Sequence, residues 1–173
     1  MKIQHPSAQT GFTLIELMIT IAVFMILIFV GTSLTRTWVD RSQVNSALST
    51  LKTAIHQAKA SALRNTNNQP LSNSAVSICL DSSTNTLNII RTAVLASNVC
   101  DITSGTSTSD NVLLRSMPLS SGIFINQGNT TFECLSYNAA GVLIKMTGTS
   151  CTSNSTEAFK VGKNDETAEI KIL

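Results

Sequence analysis

Histidine, aromatic side chains and charge are all scarce in this sequence, and each shortage removes a class of function. Of 173 residues only two are histidine, 5% are aromatic and 13% are charged. His5 and His56 lie far apart, and no serine or cysteine sits in a nucleophile context such as Gly-x-Ser-x-Gly. Paired acids and a glycine-rich phosphate loop are missing too. Neither an enzyme nor a bound cofactor is therefore expected. The net charge is only +2, with acids and bases interleaved, so no one-sided field recruits a polyanion. No Cys-x-x-Cys pair occurs, which argues against a zinc site. With so few aromatics, the folded part must rest on Val, Ile, Leu and Ala packing, helped by something covalent. The length fits one folded domain beside one apolar segment, with no internal repeat.

Four cysteines supply the covalent candidate: Cys79, Cys100, Cys134 and Cys151. Wide spacing behind an apolar segment reads as two disulfides in an oxidising compartment. Three connectivities are possible, and a single bridge or none is a further alternative. The pairing of sequence neighbours, Cys79–Cys100 and Cys134–Cys151, is favoured.

The apolar segment is TGFTLIELMITIAVFMILIFVG, residues 10–31. From Phe12 to Val30 it is long enough to cross a bilayer, which takes ~20 helical residues. An ordinary secretory signal would carry a basic start, a shorter apolar core and a small-x-small cleavage site after it. Here the start holds only Lys2 and His5, and no Ala-x-Ala follows. An ordinary anchor would not explain Glu16, because a carboxylate at membrane depth is costly and by default functional.

Gly11-Phe12-Thr13-Leu14-Ile15-Glu16 resembles the class III signal of type IV pilins and type II secretion pseudopilins. That pattern is a short polar leader ending in Gly, then Phe, then Thr-Leu-Ile-Glu and an apolar helix. The resemblance implies that a prepilin peptidase cuts between Gly11 and Phe12 on the cytoplasmic side and methylates the new N-terminus at Phe12. Glycine suits the cut because its backbone enters a protease without a side chain in the way. Glu16 becomes the fifth residue of the mature chain. The resemblance implies that it pairs with the N-terminal amine of a neighbouring subunit in the filament, where a buried acid is tolerable because it meets an opposite charge.

Helical periodicity continues past the apolar run. Leu34, Trp38, Val44, Leu48, Leu51, Ile55, Ala58 and Ala62 recur at spacings of three and four, as one face of an amphipathic helix. Arg36, Asp40, Gln43, Lys52, Gln57 and Lys59 mark the other face. Residues 65–70, ending in Pro70, stop the helix. One helix from Phe12 to about Arg64 is expected, roughly 80 Å long at ~1.5 Å per residue. Many major pilins carry a proline in the first half of this helix. This chain has none there.

From Ser72 onward short β-prone runs alternate with Ser, Thr, Asn and Gly clusters. Strands are expected near 75–80, 87–92, 112–115, 123–126, 131–135, 142–146, 158–161 and 168–172. Turns are expected at 81–85, 127–129, 138–141 and 162–165. Between Asn98 and Asn111 an exposed loop is expected. The fold class is α+β, the type IV pilin fold: a long N-terminal helix packed on a C-terminal antiparallel β-sheet head. Its divisions are a cleaved leader at 1–11, a transmembrane or filament-core half-helix at 12–34, and an amphipathic half-helix with a periplasmic head at 35–173.

The stretch FECLSYNAAGVLIKM reads as a strand, an aromatic-x-x-x-Gly turn from Tyr137 to Gly141 and a returning strand. EAFKVGKNDETAEIKIL is a closing β-segment. The arrangement resembles the GspH/FimT family of minor pilins, which includes FimU. It implies a subunit near the fibre tip that primes assembly, with other minor and major pilins or pseudopilins, a prepilin peptidase, the inner membrane and a tip adhesin as partners. The chain would sit in the bacterial inner membrane with its head in the periplasm, then in the surface fibre. A type II secretion pseudopilin shares this leader and helix and is an alternative. A DNA-binding minor pilin is another. It needs several cations facing phosphate together, whereas Lys160, Lys163 and Lys171 are interleaved with Asp165, Glu166 and Glu169. Arg91 and Arg115 could join them only in three dimensions. DNA is not the expected partner.

Overall fold

The computed structural model describes residues 11–93, 98–102, 111–145, 151 and 157–171, with backbone alone at 32–34. Leader residues 1–10, most of the expected 98–111 loop, and the ends of two expected strands at Met146 and Ile172 lie outside the described residues. The chain divides into two compact units, Met1–Val39 and Asp40–Leu173.

The helix α1 spans Leu14–Arg64. It starts two residues later than the periodicity suggests, because Thr13 stands outside the first turn as its cap. At the other end Asn65 takes a left-handed φ of 38°, and its amide donates to the Ala62 carbonyl at 3.0 Å. The Asn65 side chain then holds both backbone groups of Gln69, which fixes the turn that leaves the helix.

Within the second unit, Val44, Ala47, Leu51, Ala54, Ile55, Ala58 and Ala62 are buried along one stripe of α1. Small alanines in that stripe let the helix approach the sheets closely. One expectation fails: Trp38 does not belong to the buried stripe; it is 72% exposed. On the other face, Lys163 meets both Asp40 and Gln43, and Asn164 donates to Asp40 Oδ2 at 2.7 Å.

Among the described residues nine strands follow: β1 Val76–Asp81, β2 Thr86–Arg91, β3 Val112–Pro118, β4 Phe124–Gln127, β5 Thr130–Thr131, β6 Cys134–Tyr137, β7 Leu143–Ile144, β8 Ala158–Lys163 and β9 Glu166–Lys171. They form two sheets, in the orders β3-β2-β1-β6-β7 and β5-β4-β8-β9. All observed pairings are antiparallel. The run expected as one strand over 131–135 is two strands in different sheets. The Phe132 amide still donates to Ile125 in β4, at 2.9 Å, while the Glu133 carbonyl accepts from Leu80 in β1, at 2.8 Å. The chain crosses between sheets at that peptide because Phe132 is buried in the core, edge-on to Phe159 at 5.6 Å.

The helix stripe, Val76, Ile78, Leu87, Ile89, Leu135 and Tyr137 from the first sheet, and Ile125, Phe132, Phe159 and Val161 from the second form one core. Alternate residues of the first sheet point the other way. There Cys79, Ile90 and Cys134 gather with Val99 and Cys151 into a second cluster. Both faces of β1 and β6 are thus covered, which is why these strands read as continuous burial rather than alternation. The polar members of this outer face satisfy one another. Ser136, Ser77, Ser74 and Thr92 form a buried hydroxyl chain with contacts of 2.8 to 3.3 Å.

The closing segment is the β8–β9 hairpin, turning at Asn164 with φ 52°. Gly162 in β8 lies under the ring of Phe124, which occupies the space a Cβ would take. Gly141 has φ +72° and closes the turn between β6 and β7, as expected of a hairpin glycine.

Candidate functional site

The segment before α1 is short and open. Gly11, Phe12 and Thr13 are non-helical and exposed, Phe12 at 88%. A Cβ at Gly11 would meet nothing within 4 Å. Among the described residues nothing packs over the Gly11–Phe12 peptide.

Immediately after it, Thr13 and Glu16 cap the helix reciprocally. Glu16 Oε2 accepts from the Thr13 amide at 3.1 Å and from the Thr13 hydroxyl at 3.0 Å. The Thr13 Oγ1 in turn accepts from the Glu16 amide at 3.4 Å. This is a capping box: the N-cap threonine and the acid three residues later each satisfy an otherwise orphaned donor. The negative carboxylate also lies in the first turn, where the helix dipole favours it. Glu16 is thus held by its own chain, in addition to any partner it finds elsewhere. The Thr-x-x-Glu spacing before an apolar run is the sequence signal for this arrangement, and the functional part of Thr13 escaped the sequence reading.

From Leu14 to Val30 the large apolar side chains are more than half exposed. Two hydroxyls in and just past this stretch are turned back on the helix: Thr20 donates to the Leu17 carbonyl at 2.9 Å, and Thr35 to the Gly31 carbonyl at 2.8 Å. That arrangement suits lipid, where an unsatisfied polar group is costly. The helix is long and apolar enough to cross a membrane. Glu16 is the one ionisable side chain between Phe12 and Thr35.

The four cysteines form Cys79–Cys100 and Cys134–Cys151, with Cα separations of 5.7 and 4.7 Å. Each bridge joins a strand cysteine to a loop cysteine over the outer face of the first sheet. The sulfurs of Cys79, Cys100 and Cys134 lie within 4.8 Å of one another. No cysteine is free, so the cluster offers no thiolate to a metal. Asn111 fastens the first covering loop, accepting from the Ala93 amide and donating to the carbonyls of Asn98 and Asp101.

The cations considered for DNA are split between the two sheets. Lys163 is engaged by Asp40 and Gln43, and Lys160 stands opposite Glu169 in the β8–β9 register. Arg91 and Arg115 lie in the other sheet, on β2 and β3. His56, exposed on α1, meets no catalytic partner among the described residues.

A model of the prokaryotic N-terminal methylation motif matches residues 6–32. No curated protein and no solved structure matches the chain. The matched segment contains the Gly11–Phe12 peptide, the Thr13–Glu16 capping box and the apolar run. It is consistent with a class III signal, and it supports a type IV pilin-like or pseudopilin-like protein. One long N-terminal helix with antiparallel sheets fits the pilin fold.

Proposed function

We propose that this chain is a minor pilin of a type IV pilus, a structural subunit that helps prime fibre assembly and sits near the tip with other minor pilins. The observation that carries the reading is the position of Glu16. It is a single carboxylate at the mouth of an otherwise apolar helix, four residues after a fully accessible Gly-Phe peptide. Cutting that peptide would create a positive amine at Phe12. Bringing such helices together would bury one acid and one amine per subunit, and pairing them offsets the cost of burying either alone. The exposed surface from Leu14 to Val30 requires a cover, which lipid supplies before assembly and neighbouring helices after it.

Two disulfides support a head that matures in an oxidising compartment, as the periplasm is. An uninterrupted helix with no proline between Phe12 and Arg64 supports a minor rather than a major subunit. The GspH/FimT assignment rests on the resemblance of the β6–β7 turn and the closing hairpin.

The decisive experiment is a count of surface pili on cells lacking the gene, with natural transformation scored in parallel. Few pili, restored by complementation, is the expected result. Normal pili with lost transformation would replace this reading with a DNA-uptake pilin. Normal pili and normal transformation would replace it with a secretion pseudopilin.

A further inference from the structure

Among the described residues, one corner of the head carries cations with no paired carboxylate. A groove of about 260 Å³ runs between the last turns of α1 and the β2–β3 pair, lined by Gln57, Ala60, Ser61, Arg64, Ile89, Leu114 and Arg115. Its floor is apolar, with Ile89 buried and Leu114 42% exposed. Arg64 and Arg115 stand at its rim, both exposed. Arg115 is the register partner of Ile89, and Arg91 lies two residues further along the same face of β2. Arg91 reaches Thr66 with Nη1 at 3.3 Å, while its Nε is buried without a partner. Among the described residues no carboxylate pairs with Arg64, Arg91 or Arg115.

The groove is also bounded by an open strand. Among the described residues β3 has β2 on one side and no strand on the other. Val112 to Ser116 therefore offer unpaired backbone groups beside an apolar floor and a cationic rim. The register shift beside Ile89 and the charge of Arg115 blunt this edge against indiscriminate pairing, and they leave its backbone to an added strand of opposite charge.

We propose that this groove docks an extended acidic segment of a neighbouring protein subunit. Its backbone pairs with the free edge of β3, its apolar side chains sit on Ile89 and Leu114, and its carboxylates meet the guanidinium forks of Arg64 and Arg115. Arginine presents paired donors that match a carboxylate. Nucleic acid fits the groove less well. Phosphate recognition wants a track of cations, and single-strand binding wants aromatic platforms. The cations here converge on one corner, and no aromatic lines the groove. The identity of the partner as a fellow filament subunit rests on the function proposed above; the acidic peptide chemistry does not.

The full-length chain in dodecyl maltoside micelles is titrated into three fluorescein-labelled probes: a heptapeptide alternating valine and glutamate, its valine–lysine counterpart, and a 12-nucleotide single strand. Saturable anisotropy change with the glutamate peptide alone is expected, weakened about tenfold or more by the double variant R64E/R115E. The milder R64Q/R115Q is expected to fall between, and its circular dichroism and thermal midpoint report whether the head is intact. Equal binding of both peptides, or indifference to the substitutions in an intact head, overturns the proposal. Preferential binding of the oligonucleotide through the same arginines also overturns it and makes the groove a nucleic-acid site. Leader cleavage, read on an immunoblot of the same variants, is independent of the groove. An uncleaved chain that binds retains the docking site and loses the filament reading, and a cleaved chain that does not bind does the reverse.

Discussion

Cys79 and Cys134 stand directly opposite each other on β1 and β6, yet each is bonded to a loop cysteine instead of to the other. The Leu80–Glu133 pair beside them is hydrogen-bonded, so the cysteines occupy a non-hydrogen-bonded position, where side chains come closest. The native bridges thus compete with a cross-strand alternative that would leave both covering loops loose.

That competition is testable by removing one loop cysteine. In Cys100→Ser the freed Cys79 thiolate is expected to attack Cys134, forming a Cys79–Cys134 bridge and releasing the Cys151 thiol. Non-reducing peptide mapping reads the outcome. An intact Cys134–Cys151 bridge beside a free Cys79 would show that the sheet holds the sulfurs apart. Removing a whole bridge, as Cys134→Ser with Cys151→Ser, is expected to cost about 2–4 kcal/mol in denaturant unfolding.

A single substitution separates the capping role of Glu16 from its proposed pairing role. Gln can replace Glu in a capping box, so Glu16→Gln keeps the start of α1 while removing the charge. A processed Gln variant with normal helicity that is poorly recovered in the sheared fibre fraction is the expected result. Wild-type recovery would mean the charge is dispensable. Thr13→Ala should instead lose about 1 kcal/mol of helix-start stability, seen as faster amide exchange in the first turn.

Gly11→Val is expected to block maturation, since a peptidase acting at the proposed Gly11–Phe12 cut needs the room that glycine leaves at its backbone. The readout is immunoblot mobility. A band of mature size would remove Gly11–Phe12 as the cut.

Asp81 ties the β1–β2 turn. Hydrogen bonds from the Ser83 hydroxyl foremost, then from the Thr84 hydroxyl and the Ser83 amide, lower its pKa to about 2. A lowered folded pKa stabilises the fold above the unfolded value of ~3.9, and the contribution is lost as pH falls towards 2. The thermal midpoint of wild type should therefore drop between about pH 4 and pH 2 by more than that of Asp81→Asn. Parallel curves would assign the acid sensitivity to other groups.

Trp38 is the sole tryptophan, exposed eight residues beyond Val30 and flanked by Arg36 and Arg41. At ~1.5 Å per residue that is roughly 12 Å past the apolar run, at headgroup level for a spanning helix. In vesicles, lipids brominated near the headgroup should quench its emission more than lipids brominated deep in the chain. The reverse order would place the helix at a different depth.

The helix, its membrane-length run and its stop near residue 65 were legible because their signals are local: length, periodicity and the polar run 65–70 that ends in Pro70. The Thr13–Glu16 box was equally local, visible in Thr-x-x-Glu, but the spacing was read for its charge alone. Trp38 was drawn into the buried stripe because period cannot tell which face finds a partner. Ala47 and Ala54 were passed over because alanine reads as neutral until close packing selects it. The break of 131–135 into β5 and β6 depends on pairing with β4 and β1, which lie elsewhere in the sequence. The approach of Arg64 to Arg115 and the opposition of Cys79 to Cys134 depend on register in the same way, and no spacing announces them.

The peptide between Phe132 and Glu133 has its own consequence. The Phe132 amide before it is pinned in one ladder and the Glu133 carbonyl after it in the other, with no spacer residue between them. A hinge between the sheets would need slack at that crossing, and none is provided. At this crossing a shift of one sheet would therefore pull directly on the other, so strain applied to either ladder is shared by both.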